Sequence, residues 1–183
     1  MTIQQKMIKN MDLSLLEIAV KGIQSLYQDL NPRIFSYNRI KETFVSAGLP
    51  DILTSEMDTN YAFLDVSTID DLLWDAMFLI NKFKYRTDVT DCDNFAFFTS
   101  SLMSFLYGIN TVGTCWGNIY NDSTGNLIAA HYFNVLITHD PVFNRFDLWI
   151  ADSMNPGLVK IEVGKPIVLG NWRYEKLRNA KFF

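Results

Sequence analysis

Apolar side chains recur at Leu15, Leu16, Ala19, Val20, Ile23, Leu26, Tyr27 and Leu30, the 3.6-residue spacing of an amphipathic helix over 12–30 that Pro32 ends. Residues 31–60 are mixed, with breakers at Gly48 and Pro50, and predict a short helix over 38–46 followed by a loop. A second helix has its apolar face at Ile69, Leu72, Leu73, Ala76, Met77, Ile80 and Phe83, with Ser67 and Thr68 as caps and Asp70 and Asp71 in its first turn. The polar loop KYRTDVTD leads to a third helix over 92–107, buried through Phe95, Phe98, Leu102, Phe105 and Leu106 and stopped by Gly108. Beyond Gly108 the period falls to two. Strands are predicted over 112–120, 130–138, 145–151 and 158–163, with a fifth over 172–177, separated by the turn sequences NDSTGN, HDPVFN and DSMNPG. Helices first and an antiparallel sheet afterwards predict an α+β layout, N-terminal helices packed on a C-terminal antiparallel sheet. Residues 1–60 form a helical N-terminal region, part of the same domain or a small subdomain, and 61–183 carry the chemistry.

The chain length of 183 residues suits one domain, and 49% hydrophobic residues supply a core. The net charge of −4 argues against a protein that works by neutralising phosphates. The basic cluster Arg173, Lys176, Arg178 and Lys181 is broken by Glu175 and reads as a solvated edge. No apolar run matches a signal peptide or a membrane span, so a cytoplasmic protein with free thiols at Cys92 and Cys115 is expected, without nucleic acid or membrane partners.

The chemistry centres on scarce residues. Cys92 stands where the polar loop meets the third helix, and Thr90 with Asp93 has capping-box spacing, though Asp91 serves equally as N-cap. N–H groups of a first helical turn favour a thiolate, while Asp91 and Asp93 oppose it. Of two histidines, His131 begins the strand HYFNVLI on one face with Phe133, Val135 and Ile137. A histidine projecting from a sheet rim toward Cys92 would offset those aspartates. His139, in the turn HDPVFN, is expected to be solvated. Asp152 closes the strand LWIAD, where a carboxylate either orients an imidazole or initiates a turn. Cys115 is expected in the core. Asn134 is expected to pair with a backbone group. Two histidines and two separated cysteines argue against zinc.

These segments also carry a resemblance. YRTDVTDCDNFA (85–96), HYFNVLI (131–137) and LWIADSMNP (148–156) resemble the Cys, His and acidic motifs of papain-like and transglutaminase-like cysteine peptidases, including fungal agglutinin C-termini and phage proteins. The resemblance implies a papain/transglutaminase-like fold and a thiol-dependent hydrolase, peptidase or amidase, acting on a peptide or protein through a thioester. Cys92 would be the nucleophile, His131 the base and Asp152 the orienting acid. Trp116 or backbone N–H groups would stabilise an oxyanion, with Asp93 and Asn134 in support. Asn94 departs from the usual second acidic residue, and Asp152 stands where the agglutinin-type domains have Glu. No cofactor is required, although agglutinin-type relatives use calcium, for which Asp65, Asp70, Asp71 and Asp75 are the available carboxylates. The alternative reading is a catalytically inactive papain-like module for binding or assembly, for example a phage structural or accessory protein.

Overall fold

The computed structural model describes residues 30–55, 58–80 and 91–182. The helix predicted over 12–30 and the loop KYRTDVTD lie outside the described residues, apart from their last positions. Among the described residues there are nine strands and three helices.

Helix α1 (Tyr37–Ser46) buries Tyr37, Ile40, Thr43 and Phe44. Helix α2 (Val66–Ile80) is capped not by Ser67 or Thr68 but by Asp65, whose Oδ1 accepts the Thr68 N–H at 3.0 Å. The hydroxyls of Ser67 and Thr68 donate to the same carboxylate at 2.6 and 2.8 Å. Helix α3 (Cys92–Tyr107) ends on Gly108 at φ 69, with N–H groups of Gly108 and Ile109 returning to Ser104 and Met103. That left-handed stop is one a glycine adopts without strain.

Strands β1 (Arg33–Ser36) and β3 (Asn60–Phe63) pair antiparallel as a separate ribbon. The other seven form one sheet: β2 (Leu53–Ser55), β4 (Val112–Asn121), β5 (Leu127–Asp140), β6 (Arg145–Ala151), β7 (Leu158–Lys160), β8 (Ile167–Leu169) and β9 (Trp172–Lys181). Its order is β2-β9-β4-β5-β6-β7, with β8 on β9, and β2 runs parallel to β9. β7 and β8 are the free ends of the path β8-β9-β4-β5-β6-β7, and they approach one another. The six strands therefore curl into a nearly closed barrel. At the seam the Asn155 side-chain amide donates to Leu169 O at 2.6 Å, and a Cβ at Gly157 would stand 3.0 Å from Leu169 Cδ1.

This corrects the expected architecture. Rather than helices layered on an antiparallel sheet of papain type, the domain is mainly β. Its core of Cys115, Ile119, Phe133, Val135, Ile137, Leu148, Ile150 and Tyr174 is shared among the curled strands, with Tyr37, Ile40 and Phe44 of α1 added. A sheet that closes on itself buries one face without a covering layer of helices. The sequence pattern missed β1, β2, β3 and β8, and β8 is the strand that makes the closure.

Candidate functional site

Three elements deliver the site. Helix α3 opens on Cys92, with Asp91 as its N-cap in extended conformation and the Asp91 N–H donating to Asn94 Oδ1 at 3.2 Å. Strand β5 carries His131 on the face it shares with buried Phe133, Val135 and Ile137. Opposite His131 in register stands Gly117 of β4, where a Cβ would meet Glu175 O at 3.0 Å and the Phe133 ring at 3.3 Å. Strand β6 ends at Ala151, and Asp152 follows.

These residues converge on His131. Its Nε2 lies 2.8 Å from Asp152 Oδ2, with both side chains almost fully buried. The Cys92 thiol is hydrogen-bonded to the same imidazole. Because Nε2 is engaged by Asp152, the nitrogen left for the sulfur is Nδ1. The backbone N–H of Tyr132 also donates to Cys92. Burial works against charge on the half-buried thiol, but the hydrogen bonds from His131 and Tyr132 outweigh it, and its pKa falls below the ordinary 9.0. Burial likewise opposes charge on His131. Its bonds to Asp152 and Cys92 prevail and push the imidazole up to about 9. These contacts favour a thiolate–imidazolium pair over the neutral pair.

Asp152 reconciles its two sequence readings. Its Oδ1 accepts the Met154 N–H at 2.9 Å and shapes the turn, while Oδ2 faces the histidine. Oδ2 has a second donor that sequence reasoning missed: the buried Tyr174 hydroxyl of β9, at 2.9 Å. Trp172, two residues earlier, sets its ring edge-on to His131, centroids 5.8 Å apart. Neither belongs to a motif. Their place follows from the pairing of β9 with β4, which no local pattern announces.

The supporting residues fall elsewhere. Asp93 accepts the Asn94 N–H at 2.8 Å and shares a hydrogen bond with the Asp91 side chain, which with burial raises its pKa. Trp116 pairs in register with Tyr132, on the strand face opposite Gly117, and its ring lies 3.6 Å from the Arg178 guanidinium. Asn134 is fully buried and donates to Ala96 O at 2.8 Å and Gly113 O at 3.0 Å, which ties α3 to β4. Cys115 is buried and pushed up to about 12 by that burial. His139 is not solvated as expected. It is 2% exposed, packed against Phe35 and Phe146, with Nε2 3.0 Å from Asn144 Oδ1.

Among the described residues no three His, Cys, Asp or Glu side chains gather as metal ligands would, and no helix is long and apolar enough to cross a membrane. A separate open groove of about 660 Å³ lies between α1 and β6. Its charges answer one another: Lys160 reaches Asp147 at 2.8 Å, Arg39 reaches Glu42 at 2.7 Å, and Lys165 pairs with Glu162.

No protein-family model matches the sequence, and no curated protein matches it. A solved structure of Polyporus squamosus lectin, bound to the human-type influenza-binding epitope Neu5Aca2-6Galb1-4GlcNAc, is similar, with a TM-score of 0.51 and 15% identity. The likeness covers 68% of this chain and 44% of the lectin, so the chain spans less than half of that protein's length. At this identity the likeness concerns the fold. The expected membership of the papain-like and transglutaminase-like cysteine peptidases is not borne out: no family model matches, and the similar structure bears the name of a lectin. The thiol hydrolase expected from that resemblance, with its peptide or protein substrate, is withdrawn with it.

Proposed function

We propose that this chain is a carbohydrate-binding module whose ligand site is centred on Cys92, His131 and Asp152. One observation carries the reading: His131 is fixed between the sulfur of Cys92 and the carboxylate of Asp152, under the edge of Trp172. The site thus combines a charge-separated polar centre with an aromatic wall. Sugars suit such places, since the C–H face of the ring packs on an aromatic and the hydroxyls bond to fixed polar groups. Cys92 and Trp172 are the partly exposed members, through which a ligand reaches the centre. The likeness in fold to a lectin supports the class of ligand. Within the site, Cys92 is the partly exposed thiol, His131 its hydrogen-bond partner and Asp152 the group that orients the ring.

Titration calorimetry with sialylated and neutral oligosaccharides tests the binding role. Wild-type protein is expected to bind at least one of them, and Trp172→Ala to weaken binding roughly tenfold through lost stacking. A wild-type chain that binds none of a broad glycan panel would end the carbohydrate reading.

A further inference from the structure

We propose that Tyr174 is a positioning residue for this site, acting through Asp152 on His131 and thereby on Cys92. The inference rests on the assignment of those three residues as the functional centre. Its starting point is a count of donors on one buried carboxylate. Asp152 is 1% exposed, and three donors reach it: the Met154 N–H on Oδ1, and His131 and Tyr174 both on Oδ2.

The backbone donor fixes one oxygen but leaves the carboxylate free to tilt about the axis through it. The Tyr174 hydroxyl removes that freedom at the oxygen that matters to His131. It also supplies part of the solvation the buried anion lacks, and a hydrogen bond to a charged acceptor is worth more than a neutral one. Tyr174 is itself immobilised: it is 2% exposed, and its ring packs edge-on against Phe133 with centroids 5.1 Å apart. Burial and the neighbouring Asp152 push its phenol well above the ordinary 10.0, so it remains a donor at every pH the fold survives. The titratable groups facing this centre are Cys92 from α3, Asp152 from the β6–β7 turn and Tyr174 from β9, with Asp91 acting on Cys92 through space.

The test reads the pH dependence of Cys92 alkylation by iodoacetamide, with Cys115, buried in the core, as internal reference. Tyr174→Phe keeps the ring and deletes the hydroxyl. It is expected to lower the alkylation rate at pH 6 about tenfold, and to converge on wild type at alkaline pH, where the thiol ionises unaided. A Tyr174→Phe profile that superimposes on wild type, with the wild-type midpoint well below the free-thiol value, would overturn the positioning role and leave the site assignment standing. A wild-type Cys92 that titrates as an ordinary thiol would overturn the positioning role too, because His131 would then not act on the sulfur. If Tyr174→Phe does not fold, the unmodified chain labelled with ¹³Cζ-tyrosine decides: alkylation of Cys92 should move the Tyr174 resonance through Asp152, and no movement rejects the proposal.

Discussion

Replacing Asp152 by Asn changes one atom and removes the anion on which His131 depends. No orientation of the amide satisfies the protonated imidazole. With its oxygen kept on the Met154 N–H, the NH2 group faces the His131 N–H and the Tyr174 O–H; flipped, it faces the Met154 N–H. His131 in the folded chain holds its proton up to about 9, against an ordinary 6.5. At 1.36 kcal/mol per tenfold change in proton affinity, that is about 3 kcal/mol of folding stability, shared between Asp152 and Cys92. The folded pKa is raised, so this stability is fully present below pH 6.5 and drains away as the pH climbs through about 9. Asp152→Asn should therefore cost about 2–3 kcal/mol in urea unfolding at pH 6 and progressively less by pH 10. A turn-forming residue would behave otherwise, because Asn initiates turns as well as Asp does. An unfolding difference that is negligible, or the same at every pH, would refute the reasoning.

Two further outcomes follow from single close contacts. Asn134→Ala should lose about 2–3 kcal/mol in the same unfolding assay, because it strips two buried hydrogen bonds from the α3–β4 junction. Gly113→Ala places a Cβ 2.2 Å from Lys181 O, a backbone atom of β9 that has no room to give. A loss of about 3 kcal/mol, or roughly 6–12 °C in Tm, is expected by calorimetry, and a Tm within 2 °C of wild type would show that β4 and β9 are not so closely apposed.

How much of this was legible depends on the range of the forces involved. The bounds of helix α3 were readable, because Gly108 stops it and polar residues open it, and both are local signals; its buried face was misread, since Phe98 and Phe105 are exposed and Ala96, Thr99 and Met103 are buried. Strands β4, β5 and β6 were readable from alternation. Strand β8 was not, since Ile167, Val168 and Leu169 are too few to show a period and are paired only by the distant β9. His139 was misplaced by the HDP sequence. The turn begins one residue later, where Asp140 Oδ1 accepts the N–H groups of Val142 and Phe143, and β5 carries His139 into the core. Cys92 and Asp152 were legible because each sits at an element boundary; His131 was legible by scarcity, and it stands inside β5 rather than at the strand's start as expected. Tyr174 and Trp172 were hidden in a segment read as a basic edge, because only long-range pairing brings them to the site. Three short motifs named residues that meet in the structure, while the surrounding fold was read wrongly: the motifs are local, and the closure of the sheet is not.

The seam between β7 and β8 gives that closure a further meaning. The sheet is a hoop whose two ends are held by few direct bonds, Asn155 to Leu169 among them, and a second tie passes through residues of the cluster. His131 belongs to β5, Asp152 to the turn that enters β7, and Tyr174 to the strand that carries β8, so the Oδ2 oxygen of Asp152 clasps one end of the hoop to the other. A proton lost from His131, or a ligand that draws Asp152 away, loosens the clasp itself.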